Sequence, residues 1–154
     1  MKIILMIITH AITLGVGFAL GIYLLPVLTA PPAPTEQIIR HFDSAQFTAN
    51  FTKERQDSDF FHWGEGKVNI SDSQISFMGE LAPGPDYKLY LSPEFVETEA
   101  KFNELKPQMV QIGDVKSFTG FSLPVDSSVN IDNYNTVVVW CESFGEFITS
   151  AQYK

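Results

Sequence analysis

A long uncharged apolar segment opens the chain and sets the conditions for the rest of it. From Ile3 to Leu25 the sequence contains no charged residue. As a helix rising ~1.5 Å per residue this segment reaches roughly 34 Å, enough to cross a ~30 Å hydrocarbon core. A secretory signal has an apolar region of only ~7–15 residues, and a cleavage site after Ala30 would put Leu28 at position −3 and Pro31 directly after the cut. The sequence therefore favours a retained membrane anchor over a removed signal.

The distribution of basic residues around this segment predicts its orientation. Lys2 lies before the segment, whereas the next basic residue, Arg40, lies well beyond it. Because positive charge is retained on the cytoplasmic side, the N-terminus is expected inside the cell and the remaining chain outside it. We predict a bacterial inner-membrane protein with a periplasmic C-terminal domain.

Gly17 and Gly21 form a small-xxx-small pair within the apolar segment. Such a pair lets two membrane helices approach closely, which predicts a homodimer through this face. The alternative is that glycine is simply frequent in membrane helices.

The apolar segment and the prolines that follow it divide the sequence into three regions. Residues 1–28 are predicted as a transmembrane signal-anchor helix, residues 29–44 as a proline-rich linker with a short helix, and residues 45–154 as a β domain. Pro26 and then the run Ala30–Pro34 are expected to end the first helix, because proline lacks the backbone N–H and its ring clashes within a helix. The prolines of Ala30–Pro34 predict an extended, semi-rigid spacer that holds the domain off the bilayer.

The short helix of the linker is predicted from a single amphipathic run. Thr35 is placed as its N-cap, and the apolar residues Ile38, Ile39 and Phe42 are placed on one side. We expect this helix to extend to Phe42.

The net charge of the chain argues against nucleic acid and anionic lipid as binding partners. The chain has 18 acidic and 10 basic residues, giving a formal net charge of −8. A nucleic-acid-binding domain would present basic residues, so that class is disfavoured. Negative charge gives no attraction to anionic lipid either, and its ordinary effect is solubility.

The region after the linker reads as antiparallel β structure. Short runs that alternate apolar and polar residues are separated by turn residues, as is typical of strands in a sandwich or barrel. The predicted strands are Phe47–Phe51, Gly66–Ile70, Gln74–Met78, Asp86–Leu91, Val110–Val115, Thr136–Glu142 and Glu146–Ala151. Thr136–Glu142 is apolar on both faces, which predicts a central strand, and the charged stretch Val96–Lys106 is expected to be a loop or surface helix. The fold class is therefore all-β, an antiparallel β-sandwich or barrel-like domain behind one transmembrane helix.

Several motifs in the β region occur in a known order. They are Gly84–Leu91, Gly113–Lys116 with Gly120, then Tyr134, Val137–Cys141, Phe144, Phe147 and Ala151. In combination they resemble the DM-thirteen domain family, a small extracytoplasmic domain often labelled "electron transfer", over about residues 45–153. The resemblance implies a membrane-tethered or secreted protein, in some relatives beside haem- or sugar-binding domains and b-type cytochrome modules. It also implies a redox role around the cysteine that matches Cys141, and His62 matches the family more loosely.

Cys141 is the only cysteine in the chain and the residue with the most plausible redox chemistry. Its apolar neighbours, with Trp140 packing beside it, predict a buried thiol with a raised pKa, inert as a small core residue. If the strand end at Glu142 opens to solvent, the thiol is instead reactive. One cysteine cannot form an internal disulfide, so a functional Cys141 would ligate haem or a metal, or exchange with a thiol on a partner protein or a second copy.

The remaining candidates are two histidines. His62 and His41 are candidate second ligands of a cofactor, although a histidine beside a tryptophan is more often packed or on the surface. The sequence has no Cys-x-x-Cys-His haem-attachment motif, no zinc-ligand spacing, no phosphate-binding glycine loop and no Gly-x-Ser-x-Gly elbow. The leading hypothesis is a redox domain centred on Cys141. The alternative is a non-catalytic binding module whose cysteine is structural, and whether the chain is an enzyme stays open.

Overall fold

The computed structural model describes residues 1–42 and 44–154. The helices are α1 (Lys2–Thr29), α2 (Thr35–Phe42) and α3 (Glu99–Leu105). The strands are β1 (Phe47–Phe51), β2 (Gly64–Ile70), β3 (Gln74–Leu81), β4 (Tyr87–Ser92), β5 (Val110–Val115), β6 (Gly120–Pro124), β7 (Thr136–Cys141) and β8 (Glu146–Gln152).

Within the described residues the strands form two antiparallel sheets of four. Their orders are β1-β2-β3-β6 and β5-β4-β7-β8. The sheets pack face to face as a sandwich and do not close into a barrel across the described part of the chain. The sandwich prediction is confirmed, and the barrel-like alternative is wrong.

The main core lies between the two sheets and follows the predicted alternation. Tyr87, Leu89 and Leu91 of β4 face inward, opposite Val68 of β2 and Phe77 of β3. β7 lies between β4 and β8, and each of its residues is buried, as predicted for a central strand.

A second apolar cluster covers the outer face of β7. Phe102 of α3 stacks on Trp140 with ring centroids 3.9 Å apart. The region from Val96 to Lys106 does contain a surface helix, with Ala100, Asn103 and Glu104 exposed and Phe102 and Leu105 buried against the sheet. Its residues cap one side of the second sheet and add a layer to the sandwich.

α2 lies over β3 and β6 with a different face from the one predicted. Ile38 and His41 are buried, whereas Ile39 is 55% exposed. The Thr35 hydroxyl donates to the Ala33 carbonyl at 3.3 Å, and Thr35 is the first helical residue rather than the cap. The expectation that Ile39 packs inward was wrong, because the polar His41 occupies that side of the helix.

The first helix passes through Pro26 and ends one turn later. α1 runs to Thr29, whose hydroxyl donates to the Leu25 carbonyl at 2.8 Å, and Ala30 before Pro31 is extended. The predicted end at the run Ala30–Pro34 is confirmed. The prediction that Pro26 ends the helix was wrong, because its missing N–H costs one hydrogen bond but leaves the last turn in place. By length and composition α1 can cross a membrane, a property that a secretory signal shares.

The last turns of α1 lie directly against the β domain. The Tyr23 ring packs edge-on against Phe61 with centroids 6.5 Å apart. The role of the linker as a spacer that holds the domain off a bilayer stays a prediction. Asp43, within the predicted linker, lies outside the described residues.

β6 is a strand that was not predicted from the sequence. It pairs with β3 and places Phe121 in the core. The signal was present, since Phe121 and Leu123 alternate with polar residues between Gly120 and Pro124.

Candidate functional site

One end of the sandwich contains a pocket of about 250 Å³. It is framed by the segment before β2, the β3–β4 connection, the β7–β8 turn and the last third of α1. The lining residues are Ile22, Tyr23, Phe61, His62, Pro83, Gly84, Pro85, Tyr87, Cys141, Phe144, Glu146 and Ile148.

Cys141 lies on the inner wall of this pocket. It is the last residue of β7, shares the inner face with Val137 and Val139, and is 3% exposed. It pairs with Tyr87 across the β4–β7 ladder. The predicted side-chain alternation along this strand therefore holds, and it carries the sulfur to the pocket rather than to the sealed centre of the core.

Burial and the surrounding backbone have opposite effects on the pKa of the Cys141 thiol. Burial raises the pKa of the Cys141 thiol above its ordinary value. The backbone N–H groups of Phe144, Asp86 and Ser143 act to lower that pKa, whereas the negative charge of Asp86 raises it further. Burial prevails, so the thiol is neutral at pH 7.

The loops that carry these donors are tied to each other. The backbone N–H of Glu142 donates to the Asp86 carbonyl at 3.0 Å, and the Ser143 hydroxyl donates to the Asp86 carboxylate at 3.0 Å. Gly145, at φ +71, closes the turn by donating to the Cys141 carbonyl at 2.9 Å. Only glycine adopts this backbone conformation without strain, so the turn beneath the sulfur is fixed by the sequence.

Tyr87 is a pocket residue that sequence reasoning did not single out. Burial raises the pKa of its phenol, so the group remains protonated over the physiological range. The sequence placed Tyr87 on the inner face of β4, but its position opposite Cys141 depends on the strand register. That register joins strands far apart in the chain, and no hairpin turn sets it.

His62 lines the same pocket as Cys141, so the structure brings these two predicted residues together. Its Nδ1 lies 3.0 Å from the Asp59 carboxylate, which also accepts the backbone N–H groups of Phe61 and His62. Although burial opposes it, these hydrogen bonds hold the pKa of Asp59 below its usual range. Because Asp59 occupies Nδ1, Nε2 is the ring nitrogen available to a ligand or a proton.

A pair of carboxyl groups lies at the side of the pocket. Glu146 lines it, and Glu99 at the start of α3 hydrogen-bonds to Glu146. That hydrogen bond and burial raise the pKa of Glu99.

Two other predicted residues lie away from the pocket. The Trp140 ring is on the outer face of β7 under α3, the opposite face from the Cys141 sulfur. His41 lies beneath α2, where its ring nitrogens are 2.7 Å from the Ser76 hydroxyl and 2.8 Å from the Ser71 hydroxyl. His41 therefore cannot be a second ligand together with Cys141.

The donor set fits a metal or haem poorly. The described residues contain no group of three or more histidine, cysteine or acidic side chains that could hold a metal ion. The pocket itself has a volume of about 250 Å³, below the ~300–1,000 Å³ of ordinary ligand pockets, and so suits a small group better than a haem macrocycle. The arrangement instead suits thiol chemistry on a small group, with a phenol and an oriented imidazole in the same pocket.

Comparison with known proteins gives one match. A family model described as "Electron transfer DM13" matches residues 46–153. No curated protein and no solved structure matches the chain.

Proposed function

Because the chain belongs to the DM13 family, described as electron transfer, we propose that it is a membrane-anchored extracytoplasmic domain whose redox role centres on Cys141. Cys141 acts by thiol–disulfide exchange with an extracytoplasmic partner: its sulfur bonds to one sulfur of the partner's disulfide, and the other sulfur leaves as a thiolate, so the partner is reduced as Cys141 is oxidised. In this step His62, oriented by Asp59, takes the proton of Cys141 and passes it to the leaving thiolate, and Tyr87 supplies a neutral O–H to the bound group.

One observation supports this proposal above the others: although Cys141 belongs to the core cluster, it also borders a pocket. Cys141 shares that pocket with His62 and Tyr87. A structural cysteine needs only apolar contacts, whereas oxidation of a thiol needs room for a reactant and a path for the proton.

The backbone around the sulfur supports the same role. A thiol reacts as its thiolate, and burial alone would disfavour that form. The N–H groups of Phe144, Asp86 and Ser143 act against this effect, because hydrogen bonds favour the charged form, but they do not cancel it. The thiol is therefore neutral at rest, and it reacts only when a base takes its proton.

The membrane anchor is the second part of the proposal. α1 is the anchor, with Lys2 cytoplasmic and the β domain outside, in the periplasm of a bacterium. The redox partner is a protein or small molecule reached on that side.

A specific observation also favours the alternative, a non-catalytic binding module. Cys141 belongs to the continuous core cluster, and burial raises its pKa. In that case the pocket binds a ligand or partner, and the sulfur only packs.

A direct test uses the full chain in detergent micelles. Glutathione disulfide is added to the wild type and to Cys141→Ser, mass spectrometry follows the mixed disulfide, and visible absorption is measured after haem is supplied. We expect a redox signal, the mass of the glutathione adduct, in the wild type that Cys141→Ser lacks, an unchanged circular dichroism spectrum, and no haem band.

Val139→Ala is the matched control, since Val139 faces the same core two residues earlier and does not line the pocket. It should lose stability and keep the redox signal. A wild type without any signal, or a signal equal in Cys141→Ser, would reject the redox role and leave the binding module. A haem band would overturn the cofactor-free form of the proposal.

A further inference from the structure

An apolar groove of about 690 Å³ lies between α1 and the β7–β8 turn. The groove side of α1 presents Gly17, Phe18, Gly21, Ile22, Leu25, Pro26 and Thr29, and the domain side presents Pro85, Ser143 and Phe144. The two glycines leave the helix surface open there. Among the described residues no heavy atom lies within 4 Å of a Cβ added at Gly17 or Gly21.

The groove lies directly beside the Cys141 pocket. Ile22, Pro85 and Phe144 line both spaces. A molecule lying along the groove is therefore separated from the pocket by no more than these shared side chains.

The height of this groove along α1 places it at the membrane. Counted from Ile3, a ~30 Å hydrocarbon core extends about 20 residues, to the level of Ile22 and Tyr23. Tyr23 is then at the outer interface, where tyrosine is enriched in membrane helices. Phe61 packs against Tyr23 and so lies at the same depth.

Exposed aromatic side chains surround this end of the domain. Phe60, Phe61 and Phe144 are 85%, 56% and 54% exposed. Large apolar side chains clustered at one end of a domain mark an interaction surface. Since α1 emerges beside them, the bilayer is the surface nearest to them.

We propose that the Cys141 pocket is entered from the extracytoplasmic leaflet, and that its ligand is a lipid-soluble molecule. The apolar tail lies in the groove beside Gly17 and Gly21, and a small polar head lies in the pocket against Cys141. This inference rests on the proposed function, because it assumes that α1 is the anchor and that the thiol reacts.

The two volumes match the two parts of such a molecule. The pocket of about 250 Å³ carries the polar groups, from Tyr87, His62 and Glu146, and suits a compact head. The groove of about 690 Å³ is lined mainly by apolar side chains and glycine, and suits a hydrocarbon chain.

The test compares two alkylating probes on the full chain in phosphatidylcholine vesicles. N-dodecylmaleimide dissolves in the bilayer, whereas a sulfonated maleimide stays in water, and mass spectrometry follows both reactions. A reference chain carries Cys141→Ser with Ser127→Cys, an exposed site in the loop after β6, beside the β2–β3 turn at the far end of the sandwich. We expect the ratio of dodecyl to sulfonated rates to be several-fold higher at Cys141 than at the reference site.

Gly21→Leu and Gly15→Leu form a matched pair of variants. Both add the same side chain to α1 where nothing described lies within 4 Å, but only Gly21 lines the groove. Gly21→Leu should slow the dodecyl reaction several-fold, and Gly15→Leu should leave it unchanged.

Each outcome bears on a different claim. Failure of both probes on the folded chain rejects the reactive thiol and thus the proposed function itself. Faster reaction with the sulfonated probe keeps the reactive thiol and overturns entry from the membrane. Equal slowing by both leucine variants overturns the groove as the path. A dimer that Gly21→Leu dissociates, seen by two-colour single-molecule counting, also overturns it, because the glycine face would then be a helix contact.

Discussion

The two faces of β7 are buried to the same degree and yet have different surroundings. Trp140, on the outer face, is stacked on Phe102 at 3.9 Å and is 2% exposed. Cys141, next in sequence and on the inner face, is nearly as buried but borders a pocket. Trp140 is thus covered by another side chain, whereas Cys141 has open space beside it. The exposed fraction alone does not distinguish these two surroundings.

The largest expected loss of stability comes from the outer face of β7, called the sealed face here because α3 covers it. Phe102→Ala removes the ring that covers Trp140, and large aromatic truncations in a core cost about 3–5 kcal/mol of unfolding free energy. Urea denaturation of the full chain in micelles measures this loss. Phe60→Ala is the matched control, because an exposed ring costs within about 0.5 kcal/mol. Equal losses in the two variants would show that the buried ring of Phe102 and the exposed ring of Phe60 contribute alike to stability, against this account.

A smaller loss of stability is expected when a side chain is added at Gly84, which lines the pocket. A Cβ added at Gly84 would lie 2.4 Å from the Tyr87 ring, so Gly84→Ala must displace that side chain at a cost of about 1–3 kcal/mol. Gly113→Ala is the control, since its added Cβ meets Leu123 at 3.7 Å, an ordinary contact. Denaturation midpoints compare the two. A Gly84→Ala chain as stable as Gly113→Ala would show that Tyr87 is not held against this turn.

Removing the sulfur should cost still less. Cys141→Ala enlarges a space that already exists, and we expect a loss of about 1 kcal/mol, typical of single substitutions. The same urea measurement applies. A loss equal to that of Phe102→Ala would indicate that Cys141 is a tightly packed core residue and would favour the binding module.

The smallest expected effect is a pH dependence of the unfolding free energy that arises from His41, on the side of the molecule away from the pocket. Burial lowers the pKa of His41 below its ordinary 6.5. The unfolded chain therefore binds a proton at higher pH than the folded chain does, so stability is complete above pH 6.5 and falls as the pH drops from there toward the folded pKa. Unfolding free energies across that window check the slope.

His41→Asn is the variant that isolates this slope. It should be less stable at neutral pH, because the hydrogen bonds to Ser71 and Ser76 are altered, and it should lose the slope that His41 contributes. An unchanged slope in the variant would assign the pH dependence to other groups.

Much of the scaffold could be predicted from local patterns. Alternation located most of the strands and the inner face of β4, and the apolar run at β7 predicted a central strand. Local patterns failed where a partner far along the chain decides the outcome. Ile39 looks as apolar as Ile38, but the position of α2 over β3 selects Ile38 and His41. Pro26 looks like a helix end, but one missing hydrogen bond did not outweigh the last turn of α1.

The site was only partly predictable for the same reason. Cys141 stood out as the sole cysteine, and His62 through the family resemblance. Tyr87 joins them through the register of β4 with β7, and the groove exists because α1 lies beside the β7–β8 turn. Neither relation has a signature within a short stretch of sequence.

The most direct test of the central claim is the alkylation rate of folded Cys141 by N-ethylmaleimide in the wild type and in Phe102→Ala. Phe102 lies on the sealed face, so its truncation raises the unfolded population without opening the pocket. If the reagent reaches the sulfur through the pocket, the two rates are equal, and this is the result we predict. If it reaches the sulfur only by unfolding, the rate rises roughly hundredfold or more in the variant, since each 1.4 kcal/mol is a factor of about ten. That rise would contradict a reactive thiol in the folded domain.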